Sequence, residues 1–579
     1  MFKSIILALA IVFSISYSLL SQEPQKPNIV LILADDMGWG DLQVTGNQIV
    51  ETPNIDRLAK ESFSFERFYV CPLCAPTRSE MLTGRYFLRT GVSSVTSGNE
   101  NMRTDETTLA EILKSNGYTT GCFGKWHNGA YYQQHPNCQG FDEFVGFCVG
   151  HLGYYFDAIY QHNDEDIKSS GYSTDFFTDK ALEFIDSNKS KPFFCYIPYN
   201  VPHSPFQVPE QYFKKYKSKD QNDELATIYG MVDNMDENVG RILSKLQQLN
   251  LTENTIVIFL SDNGPNTYRY NGEMKGKKGS VDEGGVRVPF YISWPKKIKA
   301  GTTTQLAQDI DILPTIMGLC NLPYQTNFPI DGKNLSRIIR KNEQPYDRYI
   351  FSRQANSVLQ NCDGSVRNDR YRLVVTRKDT LLYDLINDPS QKVDISQNEI
   401  LETKQLASAY KKWEKDLVDN YEPQTTINAG FVGEKRIVLP VQDAISSGKV
   451  QYSSIHPNQS HTQNWVQQGD SIFWNLNMQQ SGKYRVELEY GCLENELGSR
   501  FVLQSKAESL EFTINKAFDS IVLPNRDYVP RAESVERTWD WMPVGNLSLA
   551  AGEERIVLKM IQLKNHDAGL IKAIRLVHQ

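Results

Sequence analysis

The sequence predicts two folding units in series, an α/β domain whose mixed sheet is flanked by helices and a C-terminal β-sandwich. Three observations lead there. At 579 residues the chain is roughly three to four times the usual single-domain length. From Pro27 to about Tyr421 buried-type apolar runs alternate with amphipathic helical stretches, and past Thr425 the pattern becomes short alternating strands punctuated by Gly, Asn and Ser. The composition, 40% hydrophobic, 11% aromatic and 22% charged, excludes fibrous, collagenous and wholly disordered classes. A formal net charge of −8 disfavours a nucleic-acid binder, so an anionic ligand needs a local cationic pocket.

Taken in order, the first element is a leader. Residues 1–21 combine Lys3, an apolar run to Leu20 and small residues near Ser18 and Ser21, the pattern of a secretory signal peptide. Export to the periplasm or medium is the expectation. No later stretch is long and apolar enough to predict a stable membrane span. The nine cysteines are too sparse for a disulfide scaffold, and their odd number leaves at least one unpaired.

Apolar runs at Ile29 to Leu33, Phe193 to Ile197 and Ile256 to Leu260 predict buried strands. Thr108 to Asn116, Thr178 to Asp186 and Asp223 to Leu249 have helical spacing. The first domain is expected over 22–425, with a small sub-domain from about 325, and the sandwich over 426–579. Within the latter, Ser471 to Leu476, Gly482 to Tyr490, Arg500 to Leu503 and Glu554 to Met560 alternate as strands do. Each of the three early strands ends in polar residues: Asp35-Asp36, Asn200 to His203, and Asp262-Asn263-Gly264. Sites in open α/β sheets assemble at the carboxyl ends of strands.

The segment Cys71-Pro-Leu-Cys74-Ala-Pro76-Thr77-Arg78 is the first with chemistry. Pro76 suits the first turn of a helix and Gly84 its C-terminal cap, which puts Cys74 at the helix N-terminus, where free N–H groups favour a nucleophile or an anion. A buried structural cysteine and a C-x-x-C redox pair are the competing readings of this segment alone. The two acidic pairs add three carboxylates and an amide, Asp35, Asp36, Asp262 and Asn263, and an all-oxygen set suits Ca²⁺ or Mg²⁺ rather than Zn²⁺. Each pair by itself is more often a turn or helix cap; two of them, both following apolar strands, point to a metal. Gly124-Lys125-Trp126-His127, Pro202-His203-Ser204-Pro205 and the stretch from Lys278 to Pro289 supply cations and imidazoles. Lys278 is preferred to Lys277 because it directly precedes Gly279.

Together, C-x-P-x-R with Leu82-Thr83-Gly84-Arg85, the two acidic pairs, GKWH, H-x-P and K-G-S-x-x-E-G-G-x-R-V-P resemble the motifs of type I sulfatases of the alkaline phosphatase superfamily, in family order. Thr77 departs from the usual Ser. The resemblance covers nearly all of the first domain and implies an alkaline-phosphatase-like fold. It also implies that a formylglycine-generating maturation enzyme oxidises Cys74, that Asp35, Asp36, residue 74, Asp262 and Asn263 hold Ca²⁺, and that Arg78 orients the nucleophile. Lys125 and Lys278 would then bind sulfate oxygens, His203 would bind substrate and protonate the departing alcohol, and His127 would take the second proton.

The implied function is an exported sulfatase acting on a sulfated carbohydrate. Two alternatives stand beside it: a phosphodiester or phosphonate monoester hydrolase, and a non-catalytic glycan-binding protein. The C-terminal segment resembles carbohydrate-binding sandwiches of the galactose-binding type, with Trp465, Trp539 and Trp541 available either to stack on sugar rings or to pack a core.

Overall fold

The structure, a computed structural model, describes residues 26–579 apart from 342, 361, 425 and 457. The leader expected at 1–21 lies outside the described residues. Among these, no helix is long and apolar enough to cross a membrane.

The architecture of the first domain follows from β1 (Asn28–Ala34), whose seven residues are all buried. Its side chains alternate between two cores, Ile29, Leu31 and Leu33 on one face of the sheet and Val30, Ile32 and Ala34 on the other. A strand covered on both faces must be apolar throughout, which is why it reads as an unbroken run rather than an alternation. It lies inside a ten-stranded mixed sheet. The parallel centre comprises β1, β2 (Thr119–Lys125), β3 (Glu143–Phe147), β4 (Phe193–Pro198) and β5 (Thr255–Ser261), in the spatial order β5-β1-β4-β2-β3.

Register decides where the strand-end residues arrive. Leu33 pairs with Pro198 on one side and Leu260 on the other, and Ala34 pairs with Ser261. Asp35 and Asp262 therefore emerge from neighbouring strands at the same level. The helices cover both faces, among them α1 (Pro53–Glu61), α2 (Cys74–Thr83), α3 (Ser173–Ser187) and α4 (Asp223–Gln248). The three expected strands and the helices at α3 and α4 lie where the periodicity placed them, with ends shifted by a few residues.

A four-stranded antiparallel sheet between Ile350 and Asp384, packed against the helix Ile400–Asp419, closes the domain. It clamps the segment carrying Lys278: buried Glu283 is held by Arg372 at 2.9 Å and Arg367 at 3.2 Å. Burial alone would raise the Glu283 carboxyl, but these guanidinium groups hold it down to about 2.

Beyond residue 426 two sheets of six strands each enclose a separate core around Trp465, Trp474 and Leu558. In Ser471–Met478 every second residue is buried, as a strand with one face on the core requires. Trp465 is fully buried, packed edge-on against Phe501, so of its two expected roles the structure gives it core packing. Trp539 and Trp541 are half-buried beneath Lys572 and Arg575. All nine cysteines are unpaired, Cys71 and Cys74 included.

Candidate active site

The site forms where the carboxyl ends of β1 and β5 meet the N-terminus of α2. The helix starts at Cys74 and ends at Gly84, whose φ of 71° is the left-handed cap that glycine adopts without strain. All ten helical residues are buried. Thr77 ties the helix to the β5 end by donating its hydroxyl to the Asp262 carbonyl at 2.6 Å. Ligand atoms of Asp35, Cys74 and Asp262 lie within 4.8 Å of one another, and so do those of Asp35, Asp36 and His203.

Three cations face the three carboxylates. Arg78, completely buried, donates to Asp262 Oδ2 at 2.8 Å and to the Lys125 carbonyl at 2.7 Å. Lys125 Nζ reaches Asp35 Oδ2 at 2.7 Å, and Lys278 Nζ reaches Asp36 Oδ1 at 2.7 Å. Lys277 instead points to the Asn266 carbonyl and the Tyr268 ring. Asn263 Nδ2 donates to Asp36 Oδ1 at 2.8 Å, and the Asp36 N–H donates to Asp262 Oδ1 at 3.1 Å. The catalytic and metal-ligand candidates singled out from the sequence thus arrive at one place.

The charges tune one another. Burial works to raise Asp35, but Lys125, His203 and Arg78 outweigh it and hold the carboxyl well below its ordinary range. Asp36 is lowered in the same way, with Lys278 acting most strongly against burial. Burial and the neighbouring Asp35 charge push Asp262 up to about 7. Burial raises the Cys74 thiol despite Lys125 and Lys278, so at neutral pH it is protonated and a poor nucleophile as it stands.

The donor set fits a hard divalent cation. Asp35 Oδ1 and Asn263 Oδ1 are buried without a hydrogen-bond partner, and an oxygen so placed is otherwise costly. With Asp36 and Asp262 they make four oxygen-bearing side chains, the ligand type of Ca²⁺ and Mg²⁺. A cation among the carboxylates also offsets the repulsion that raises Asp262.

The two histidines differ. His127 Nε2 lies 2.9 Å from the Val95 carbonyl and so carries the proton, which leaves Nδ1 buried, unpartnered and free to accept one. Burial and Lys125 lower its pKa well below the usual value, keeping the ring neutral. His203 Nδ1 lies 2.6 Å from the Ser204 carbonyl, and its Nε2 is 3.6 Å from Asp36 Oδ2, turned toward the acidic cluster. Burial and Lys278 lower its pKa, against Asp36.

Sequence reasoning assigned no role to three contributors, although two of them, His151 and Arg269, lie in the stretches 151–160 and 266–275 that the sequence offers as pocket loops. Arg269 donates to the Asp36 carbonyl at 2.9 Å and to Asp41 Oδ2 at 2.7 Å, bracing Asp36 at a positive φ of 66°. His151 and Glu533 stand beside His203, one with its ring centroid 5.7 Å away and the other bonded to Ser204. None of the three sits in a motif. Only the strand-end placement of the loops hints at Arg269 and His151, and nothing local hints at Glu533.

Comparison with known proteins follows the same outline. The profile described as Sulfatase matches residues 27–322, and that described as N-sulphoglucosamine sulphohydrolase, C-terminal, matches 277–421. N-acetylgalactosamine-6-sulfatase of Mus musculus is 36% identical over 374 residues, 58% of this chain and 70% of that protein. Arylsulfatase J of Mus musculus is 32% identical over 332 residues, 54% of this chain and 55% of that protein. Among solved structures, Ps i-CgsB in complex with k-i-k-neocarrahexaose superposes with a TM-score of 0.64 at 33% identity, covering 69% of this chain and 94% of that one.

Proposed function

The chain belongs to the sulfatase family of sulfate-ester hydrolases, and from that premise we propose that it is an exported enzyme that removes sulfate from a glycan, using residue 74, oxidised to formylglycine, as its nucleophile and Ca²⁺ as its metal. The carrying observation is the convergence of Asp35, Cys74 and Asp262 within 4.8 Å beneath Arg78, Lys125 and Lys278. N-acetylgalactosamine 6-sulfate and k-i-k-neocarrahexaose are the first compounds to test, because one relative is named for the former and a solved relative is in complex with the latter.

Asp35, Asp36, Asp262 and Asn263 would hold the ion, which when bound supplies positive charge against sulfate oxygens and acidifies the nucleophile. Lys125 and Lys278 would add fixed charge to the same oxygens, which matters most as charge builds up on them in the transition state. Arg78 neutralises Asp262 and Asp35 from behind and fixes the first turn of α2. His127 Nδ1, unprotonated and without a partner, would accept a proton from residue 74. His203, whose Nε2 turns into the cluster, would donate a proton to the departing sugar oxygen from its doubly protonated form, which the Asp36 and Asp35 charges favour.

Two measurements test this reading. Mass spectrometry of the peptide spanning Cys74, from a host able to mature it, should find the thiol converted to an aldehyde, and the same protein should release inorganic sulfate from 4-nitrophenyl sulfate. An unmodified thiol with no sulfate release overturns the proposal. Release of phosphate from the phosphate analogue at a higher rate would move the reading to phosphoryl transfer.

A further inference from the structure

The sandwich does not hang free of the catalytic domain. Its segment between Pro524 and Glu536 lies along the loop that carries His151 and along His203. Gln207 Nε2 donates to Asp527 Oδ1 at 2.7 Å, and the Phe213 ring stacks on Tyr528 with centroids 3.7 Å apart. Arg531, paired with Asp527 at 2.6 Å, donates to the Gly153 carbonyl at 2.6 Å. The two domains approach closely at Gly153, where Glu536 Oε2 lies 2.6 Å from the position a Cβ would take.

This docking carries Glu533 to the reaction centre. Ser204, the residue after His203, donates its hydroxyl to Glu533 Oε1 at 2.7 Å, and the carboxylate remains partly exposed. Between them stands His151, only 4% exposed, with both ring nitrogens buried and neither hydrogen-bonded. An imidazole so placed has unmet donor and acceptor capacity, and nothing in the folding of its loop uses it. The ring stands beside His203, whose Nε2 turns to the acidic cluster, and beside the carboxylate from the second domain, with Arg531 and Lys125 as the nearby cations.

We propose that His151 and Glu533, one from each domain, form the subsite for the sugar ring that bears the ester, and that Glu533 selects rings whose neighbouring substituent is a hydroxyl rather than a second anion. This rests on the sulfatase reading and deepens it. A carboxylate accepts a hydrogen bond from a hydroxyl or an amide N–H and repels a second sulfate or a uronate, so the site discriminates by exclusion as much as by attraction. Lys125 and Lys278 attract every sulfate alike and leave that choice to the other wall.

The test uses the full chain with Cys74→Ala, which holds ligand without turnover, and the same chain carrying Glu533→Gln as well. Calorimetry with N-acetylgalactosamine 6-sulfate and with its 4,6-disulfate gives an affinity ratio that does not depend on the fraction of protein folded. The first chain should prefer the monosulfate by at least about tenfold, and Glu533→Gln should reduce the preference to less than about threefold. Equal binding of the two sugars by the first chain, no binding of either, or a ratio untouched by Glu533→Gln overturns the proposal. Hydrolysis of 4-nitrophenyl sulfate by the matured wild-type chain tests the sulfatase reading separately: silence there, with the ratio and its loss intact, removes the chemistry and keeps the subsite.

Discussion

Arg78 is the residue on which the acidic cluster depends in the protein alone. Its guanidinium offsets both Asp262 and Asp35, all three being fully buried. Arg78→Ala leaves buried carboxylates short of a counter-charge, and urea unfolding should report a loss of about 3–5 kcal/mol. Cys74→Ala removes a thiol with no structural bond, so sulfate release should vanish while the denaturation midpoint moves little; normal turnover in that variant would refute the nucleophile. The residues around this point were legible because each lies in a short contiguous word at the end of a strand or the start of a helix: Asp35-Asp36, Cys74 to Arg78, Lys125 to His127, Asp262-Asn263. Arg269, His151 and Glu533 were not legible, because single side chains on irregular loops acquire a role only from what folds beside them.

At the scale of elements, two glycines hold motif residues where they work. Gly124 precedes Lys125 in β2 at φ 138°, and a Cβ there would sit 2.1 Å from the Pro198 carbonyl of neighbouring β4. Gly124→Ala therefore has to push β2 and β4 apart directly beneath Lys125, and it should cost more than about 3 kcal/mol by denaturation and lower kcat as well. Gly84 contrasts with it: its surroundings leave ordinary contact distances of 3.4 Å and beyond, so Gly84→Ala pays only for the left-handed backbone, about 1 kcal/mol, with activity retained. Periodicity revealed the long helices and the doubly covered strands for the same reason that these positions matter, since both follow from burial on a regular backbone. The small sheet between Ile350 and Asp384 has strands of only four or five residues and left a fainter pattern.

Across the whole molecule the contact between domains also carries a pH signature. Glu100 of the first domain lies buried near Asp443 of the sandwich, which accepts the Tyr131 hydroxyl at 2.6 Å. Burial, then Asp443, push the Glu100 carboxyl up from 4.5 to about 8. Between those values the folded chain keeps a proton that the unfolded chain has released, so this group's contribution to stability falls as pH rises and the full cost is present above about pH 8. Glu100→Gln should accordingly stabilise the protein more at pH 8 than at pH 5, by on the order of 1–3 kcal/mol, and thermal unfolding across that range checks the sign.

The even match of three carboxylates to Arg78, Lys125 and Lys278 has a further consequence. A cluster that is electrically self-sufficient does not need a visitor to assemble, unlike small metallo-domains whose ligands are scaffold and hinge at once. Chelation should silence such a catalyst while its circular dichroism stays unchanged, and readdition of calcium should restore the rate without a refolding lag. The ion would then be a tool picked up by a finished machine.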